Sequence, residues 1–145
     1  MFTDLHVDYD YTVGKSKNCG LSACCRSDSG DPVDPSDAAR EWGEFYCDLT
    51  EKTMMNMFDF IHDEIQPDFA FWGGDTIPHN VDSLTEKGNI ETMRRTFRNV
   101  LKGMKEIKTF LTPGNHDSYP QGSFKDIPNE NHVISDIRKE WEPFF

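Results

Sequence analysis

Asp4-Leu5-His6, Gly74-Asp75 and Gly114-Asn115-His116-Asp117 set carboxylate, imidazole and amide groups at spacings suited to holding a divalent ion. Asp4 and His6 are one residue apart. In an extended segment both leave one face while Leu5 takes the other. Glycines before Asp75 and before Asn115 let the backbone turn sharply and approach whatever sits there. An Asn carbonyl oxygen ligates hard or borderline ions without adding charge, and a carboxylate shared between two ions is the expected role of Asp75. The chemistry such a set serves is metal-assisted hydrolysis.

Three strand ends must present these groups. Phe69 to Trp72 is a short apolar, aromatic run behind Pro67, which bars a helix from entering it, and it reads as a buried strand. Phe2-Thr3 and Thr109 to Thr112 are strand-like runs that also end in candidate ligands. The carboxyl ends of parallel strands are where open α/β sheets build their sites. Between them, Asp48 to Glu51 has the pattern of a helix cap with Asp48 as N-cap, and Met54, Phe58, Ile61 and Ile65 follow at helical spacing. A second helix is expected from about Asn89 to Lys105. Its buried face would be Ile90, Met93, Phe97, Val100, Leu101 and Met104, and its solvated face Arg94, Arg95, Arg98 and Lys102 with local ion pairs. A last helix is expected over Ile134 to Trp141. His62 reads as structural or solvated, and Asp8 as a support for the metal site from behind.

From Tyr11 to about Arg40 the chain is rich in Gly, Ser, Asp and Pro and lacks periodicity, so it needs staples or a function. It holds Cys19, Cys24 and Cys25, with Cys47 shortly after, an even count that reads as two disulfides. Vicinal Cys24 and Cys25 do not pair comfortably with each other, which leaves Cys19–Cys24 with Cys25–Cys47, or the crossed arrangement. A four-thiolate zinc site fits worse, because paired Cys-x-x-Cys knuckles are missing. Disulfides imply an oxidising compartment. The formal net charge of −11 over 145 residues argues against a nucleic-acid backbone as partner. A phosphate substrate stays possible where divalent ions supply the positive charge. No apolar run is long enough to span a membrane, and no signal-peptide pattern opens the chain.

The order Asp-x-His, Gly-Asp, Gly-Asn-His-Asp resembles the calcineurin-like metallophosphoesterase superfamily. Asp4 to Tyr11, Cys19 with Cys24-Cys25, Trp42-Gly43-Glu44-Phe45, Cys47-Asp48-Leu49, Ile77-Pro78-His79 and Trp141 to Phe144 are similar to the acid sphingomyelinase family within it. The resemblance implies an α/β fold, the amino-terminal half of an αββα sandwich in the order β-α-β-α-β with a disulfide-stapled loop. It implies two zinc ions, with Asp4 and His6 on the first, Asp75 bridging and Asn115 on the second. His79 and His116 match histidines beside the scissile phosphate, placed to protonate the departing alkoxide. The family pairing joins Cys19 to Cys24 and Cys25 to Cys47.

The reaction implied is hydrolysis of sphingomyelin to ceramide and phosphocholine by a two-zinc activated hydroxide, in a secreted, lysosomal or vacuolar protein. The family completes its metal site with histidines from later Gly-His motifs. Here only His132 follows, with no glycine before it, so it is not read as a ligand. Residues 1–145 are therefore expected to be part of a catalytic domain, cut at both ends and doubtful as an enzyme alone, with membrane contact left to parts outside this chain. The rival substrate is a nucleotide or another small phosphodiester. The rival class is a non-catalytic truncated product.

Overall fold

The computed structural model describes residues 1–123. The helix expected over Ile134 to Trp141, the aromatic end of the chain and His132 lie outside the described residues. Four regular elements order the rest: α1 (Glu51–Phe60), β1 (Phe69–Trp72), α2 (Glu86–Met104) and β2 (Lys108–Leu111). β1 and β2 pair in parallel, with Phe69 opposite Lys108 and Trp72 opposite Leu111. The helical crossover between them is what a parallel pair requires.

Along the other edge of β1 runs the amino-terminal segment, also parallel, but as a single bridge from Phe2 to Trp72. It follows the strand with hydrogen bonds from Phe2 N–H to Phe71 O (2.9 Å) and from Gly73 N–H to Phe2 O (2.9 Å). The expected first strand is thus reduced to one paired residue, because Asp4 and His6 leave extended geometry. Leu5 and Val7 are nonetheless buried, as the alternation required.

Helix α1 begins at Thr50, whose hydroxyl accepts the Thr53 N–H (3.0 Å), and not at Asp48. Asp48 is recruited elsewhere, and Glu51 binds Arg95 and Asn99 instead of closing a capping box. Met54 and Phe58 are buried as expected. From Ile61 to Ile65 the helix widens into a π turn, which swings Ile65 out to solvent. Helix α2 starts a turn earlier than its apolar stripe suggests, because Thr85 caps it through the Gly88 N–H (3.0 Å). Ile90, Met93, Phe97, Val100 and Met104 join Met54, Phe58, Ala70 and Trp72 in one core. A Cβ at Gly103 would stand 2.5 Å from Phe58 Cβ, so the two helices touch only because Gly103 has none. The basic face carries local ion pairs. Arg95 binds Glu51 and covers the Tyr9 ring, and Arg98 faces Glu91.

The opposite face of the two-stranded sheet presents Phe69 and Phe71, each about half exposed, with Phe110 beside them.

Residues 11–40 contain two short 3-10 turns and the bridges Tyr11–Arg26 and Ser16–Ala38, and are tied further by backbone hydrogen bonds such as Thr12 N–H to Cys25 O (2.7 Å) and by disulfides. Cys19 pairs with Cys24 and Cys25 with Cys47. The second bridge closes a separation of 22 residues and ends one residue before Asp48. By loop-closure entropy, Cys25→Ser with Cys47→Ser is expected to cost about 3 kcal/mol. Denaturant titration of that variant against the parent checks the value.

Candidate metal centre

Because β1 and β2 are parallel, the turns that follow them meet at one end of the sheet. Asp117 ties these turns together. Its buried carboxylate accepts the N–H groups of Asp75 (2.9 Å), Thr76 (2.8 Å) and Gly114 (2.9 Å). Burial pushes its pKa up, and those amide bonds oppose the shift. Asp75 in turn accepts the His116 N–H through Oδ1 (2.7 Å). The contact is backbone on backbone. A Cβ at Gly74, where φ is +78°, would lie 2.1 Å from Gly114 N, and one at Gly114 would lie 2.2 Å from Asp75 Oδ1.

Asp4, His6 and Asp75 all adopt left-handed backbone, with φ of 54°, 37° and 54°. Left-handed geometry is uncommon for residues with side chains, and such outliers gather at functional sites where the surroundings enforce them. Here the enforcing bonds run from Asp4 N–H to Gly74 O (3.0 Å) and from His6 N–H to Asp75 O (2.9 Å). The result is two overlapping groups of candidate ligands, Asp4–His6–Asp75 and His6–His79–His116. Within each group, one ligand atom per residue lies within 4.8 Å of the others. The three imidazole rings stack edge and face, with centroids 4.1 to 4.8 Å apart.

Hydrogen bonds fix which nitrogens are available. His6 Nδ1 meets the Ile77 carbonyl oxygen at 2.7 Å, which can only accept, so Nδ1 carries the proton and the Nε2 lone pair is free. His79 Nδ1 meets Asp48 Oδ1 at 2.6 Å, and the His79 backbone N–H donates to Asp48 Oδ2 at 2.7 Å. Metal-binding histidines are commonly held this way, the second nitrogen donating to a carbonyl or carboxylate. His116 Nδ1 is buried with no hydrogen-bond partner, and Gln121 touches Nε2. Burial pushes the His116 pKa down, and the neighbouring His6 and His79 rings push it further. A buried imidazole nitrogen without a partner beside two oriented rings and two carboxylates is what a divalent ion would satisfy, so the residues fit a metal.

Asn115 opens the short 3-10 turn Asn115–Asp117 next to this cluster, its side chain exposed and its carbonyl accepting from Gly122 N–H and Ser118 Oγ. Asp8 takes a different place from the one expected. Its carboxylate pairs with Arg26 and accepts the Asp10 N–H, so it braces the cross-linked loop and not the metal ligands. His62 binds Asp63 and Lys105 on the helical side, as a solvated residue would. Sequence reasoning made Asp48 a helix cap, not a partner of His79, and gave Asp117 no role of its own. Asp117 stood inside the motif, whereas the sequence around Asp48 signalled a cap and held no sign of the return to His79.

The comparison with known families shows where the chain belongs. Residues 2–144 match the model of the calcineurin-like phosphoesterases. The chain belongs to that family. Members of this metallophosphoesterase family use a divalent metal, in keeping with the ligand groups described above. Among curated relatives it is 34% identical to sphingomyelin phosphodiesterase B of Dictyostelium discoideum over 96% of this chain and 22% of that protein. It is 31% identical to human sphingomyelin phosphodiesterase, over 98% of this chain and 24% of that protein. It is 31% identical to human acid sphingomyelinase-like phosphodiesterase 3b, over 97% and 30%. The chain thus spans between a fifth and a third of the length of these relatives.

Asp48 is placed to position the His79 ring beside the candidate ligands. Asp48→Asn keeps the size of the side chain but removes the carboxylate that fixes the His79 tautomer. It is expected to lower metal affinity or turnover by about 10–100-fold, with a change in the His79 ring-nitrogen shifts by NMR. Loss of activity with unchanged His79 shifts would contradict the positioning role.

Proposed function

We propose that this chain carries part of the catalytic domain of a zinc-dependent phosphodiesterase of the acid sphingomyelinase type. The reaction is hydrolysis of sphingomyelin to ceramide and phosphocholine. One observation carries the reading: Asp4, His6 and Asp75 are all held in left-handed backbone, against their intrinsic preference, with candidate ligand atoms within 4.8 Å of one another.

Asp4 and His6 would hold a first zinc, Asp75 would serve it and a second, and Asn115 would serve the second. When bound, the ions supply positive charge to the phosphoryl oxygens and acidify water. The chain's own residues arrange the rest. Ile77 O and Asp48 orient the His6 and His79 rings. With Nδ1 engaged by Asp48, His79 delivers its proton from Nε2 to the departing alkoxide, and His116 stands beside it. The two disulfides suit a secreted, lysosomal or vacuolar protein.

Asp4, His6, Asp75 and Asn115 are about half the ligands two zinc ions usually take. The exposed Phe69 and Phe71 on the outer face of the sheet support the reading of a partial domain. The test is hydrolysis of sphingomyelin, a nucleotide diester and an aryl phosphodiester with zinc added. The 145-residue chain is expected to show no turnover, and a longer protein containing it is expected to prefer sphingomyelin. Turnover by the chain alone within about tenfold of 10 s⁻¹ would contradict the partial-domain reading. A preference for the nucleotide would overturn the substrate assignment.

A further inference from the structure

An open groove of about 460 Å³ runs from Asp4 and His6 past Asp48 to Trp42. Trp42, in the lining, is 53% exposed, and Phe45 and Tyr46, next in sequence to the lining residues Glu44 and Cys47, are 92% and 75% exposed. Phe45 and Tyr46 also pack edge to face, with ring centroids 5.2 Å apart. Isolated exposed apolar residues are ordinary, but a cluster beside a candidate active site marks a contact surface.

The loop is rigid at its root. Cys47 is cross-linked to Cys25, the buried Glu44 carboxylate binds the Arg40 side chain at 2.5 Å, and the Trp42 carbonyl accepts the Thr53 hydroxyl at 2.6 Å. The Arg40 hydrogen bond holds the Glu44 pKa below its ordinary value. Phe45 and Tyr46 are therefore displayed by a braced scaffold. Their exposure does not come from slack in the chain. The charges around them are matched, Arg40 with Glu44 and Lys52 with Glu41, and Lys52 also covers the Trp42 ring. A locally neutral, aromatic surface on a chain of net charge −11 suits a zwitterionic lipid interface. Trp and Tyr favour the headgroup level there, and attraction to anionic lipid is not needed.

We propose that Trp42, Phe45 and Tyr46 form a lipid-contact loop that seats the metal groove on the surface of a phosphatidylcholine and sphingomyelin bilayer. The inference rests on the reading of the site as a sphingomyelin hydrolase. It places membrane contact within this chain, where the sequence alone left that contact to parts outside it.

The experiment is co-sedimentation of the full chain with phosphatidylcholine–sphingomyelin vesicles at low and high salt. The comparison variant is Phe45→Ser with Tyr46→Ser, two exposed changes whose folding is checked by circular dichroism. The parent is expected to bind with little salt dependence, and the variant to partition at least about tenfold more weakly. Trp42→Ala is expected to weaken binding as well.

Absence of vesicle binding by the parent, or undiminished binding by the double variant, would overturn the proposal. So would self-association that the double variant disperses without vesicle binding, which would make a second copy the occupant. Hydrolysis of a soluble aryl phosphodiester by a longer protein, run in parallel, separates the two ideas. Hydrolysis without vesicle binding sinks the loop alone. Vesicle binding through Phe45 and Tyr46, with no hydrolysis of any diester, sinks the functional reading and leaves the surface.

Discussion

Asp75→Asn is expected to lower divalent-metal affinity by at least about 100-fold while leaving the fold intact. The substitution is nearly isosteric, and an Asn oxygen can still accept the His116 N–H that Asp75 Oδ1 accepts at 2.7 Å. What it removes is charge, at the one carboxylate that belongs to the Asp4–His6–Asp75 group and also touches the second loop. In an enzyme with a complete ligand set, turnover should fall by about 10³-fold or more, the equivalent of several kcal/mol of transition-state stabilisation. Asp68, at the opposite end of β1, is the control, and Asp68→Asn is expected to change neither quantity. Near-normal metal binding by Asp75→Asn would remove Asp75 from the centre of the site.

Gly74→Ala should produce the largest loss of stability of any single methyl addition near the site, about 3–5 kcal/mol. Two costs add. The backbone at φ +78° is strained for alanine, and the new Cβ would collide with Gly114 N at 2.1 Å, Thr112 O at 2.5 Å and Pro113 C at 2.7 Å. Those neighbours are main chain and cannot rotate away. Relief means separating the two turns, which breaks the three amide bonds to Asp117 and moves Asp75 from His116. Chemical denaturation and metal titration of the same variant should therefore fail together. Ala at Gly30 is the comparison, since φ there is also positive (+71°) but no atom lies within 4 Å of the added carbon. It isolates the backbone cost.

Much of this arrangement was legible in the residues. Phe69 to Trp72 and Thr109 to Thr112 announced two parallel strands, and the α2 stripe its helix. But β1 is buried on one face only, with Phe69 and Phe71 half exposed on the other, where full burial was expected. Asp4, His6, Asp75 and His116 stood out by their regular strand-end positions and His79 through the family resemblance, and the structure brings these side chains together in two overlapping groups. The disulfide pairing was open on geometry, and only the family resemblance selected the pairing observed.

What was missed depends on contacts between distant parts of the chain. Asp48 had the sequence context of a helix cap, but Thr50 outcompetes it two residues later and frees the carboxylate for His79, 31 residues away. Asp8 alternated in phase with Asp4 and His6. Arg26, returning from the cross-linked loop, captures Asp8 instead. Asp117 looked like one more ligand-type residue of its motif, yet three backbone amides consume its carboxylate. No local periodicity carries such information, because each partner is set by where a separate loop returns.

X-ray absorption at the zinc edge of the dialysed, zinc-loaded chain tests the central claim most directly. The account predicts retained zinc in a shell of nitrogen and oxygen at about 2.0–2.2 Å, with the outer scattering of imidazole and a signal that His6→Ala diminishes. Zinc lost on dialysis, or a sulfur shell at about 2.3 Å from cysteines the structure places in disulfides, would contradict it.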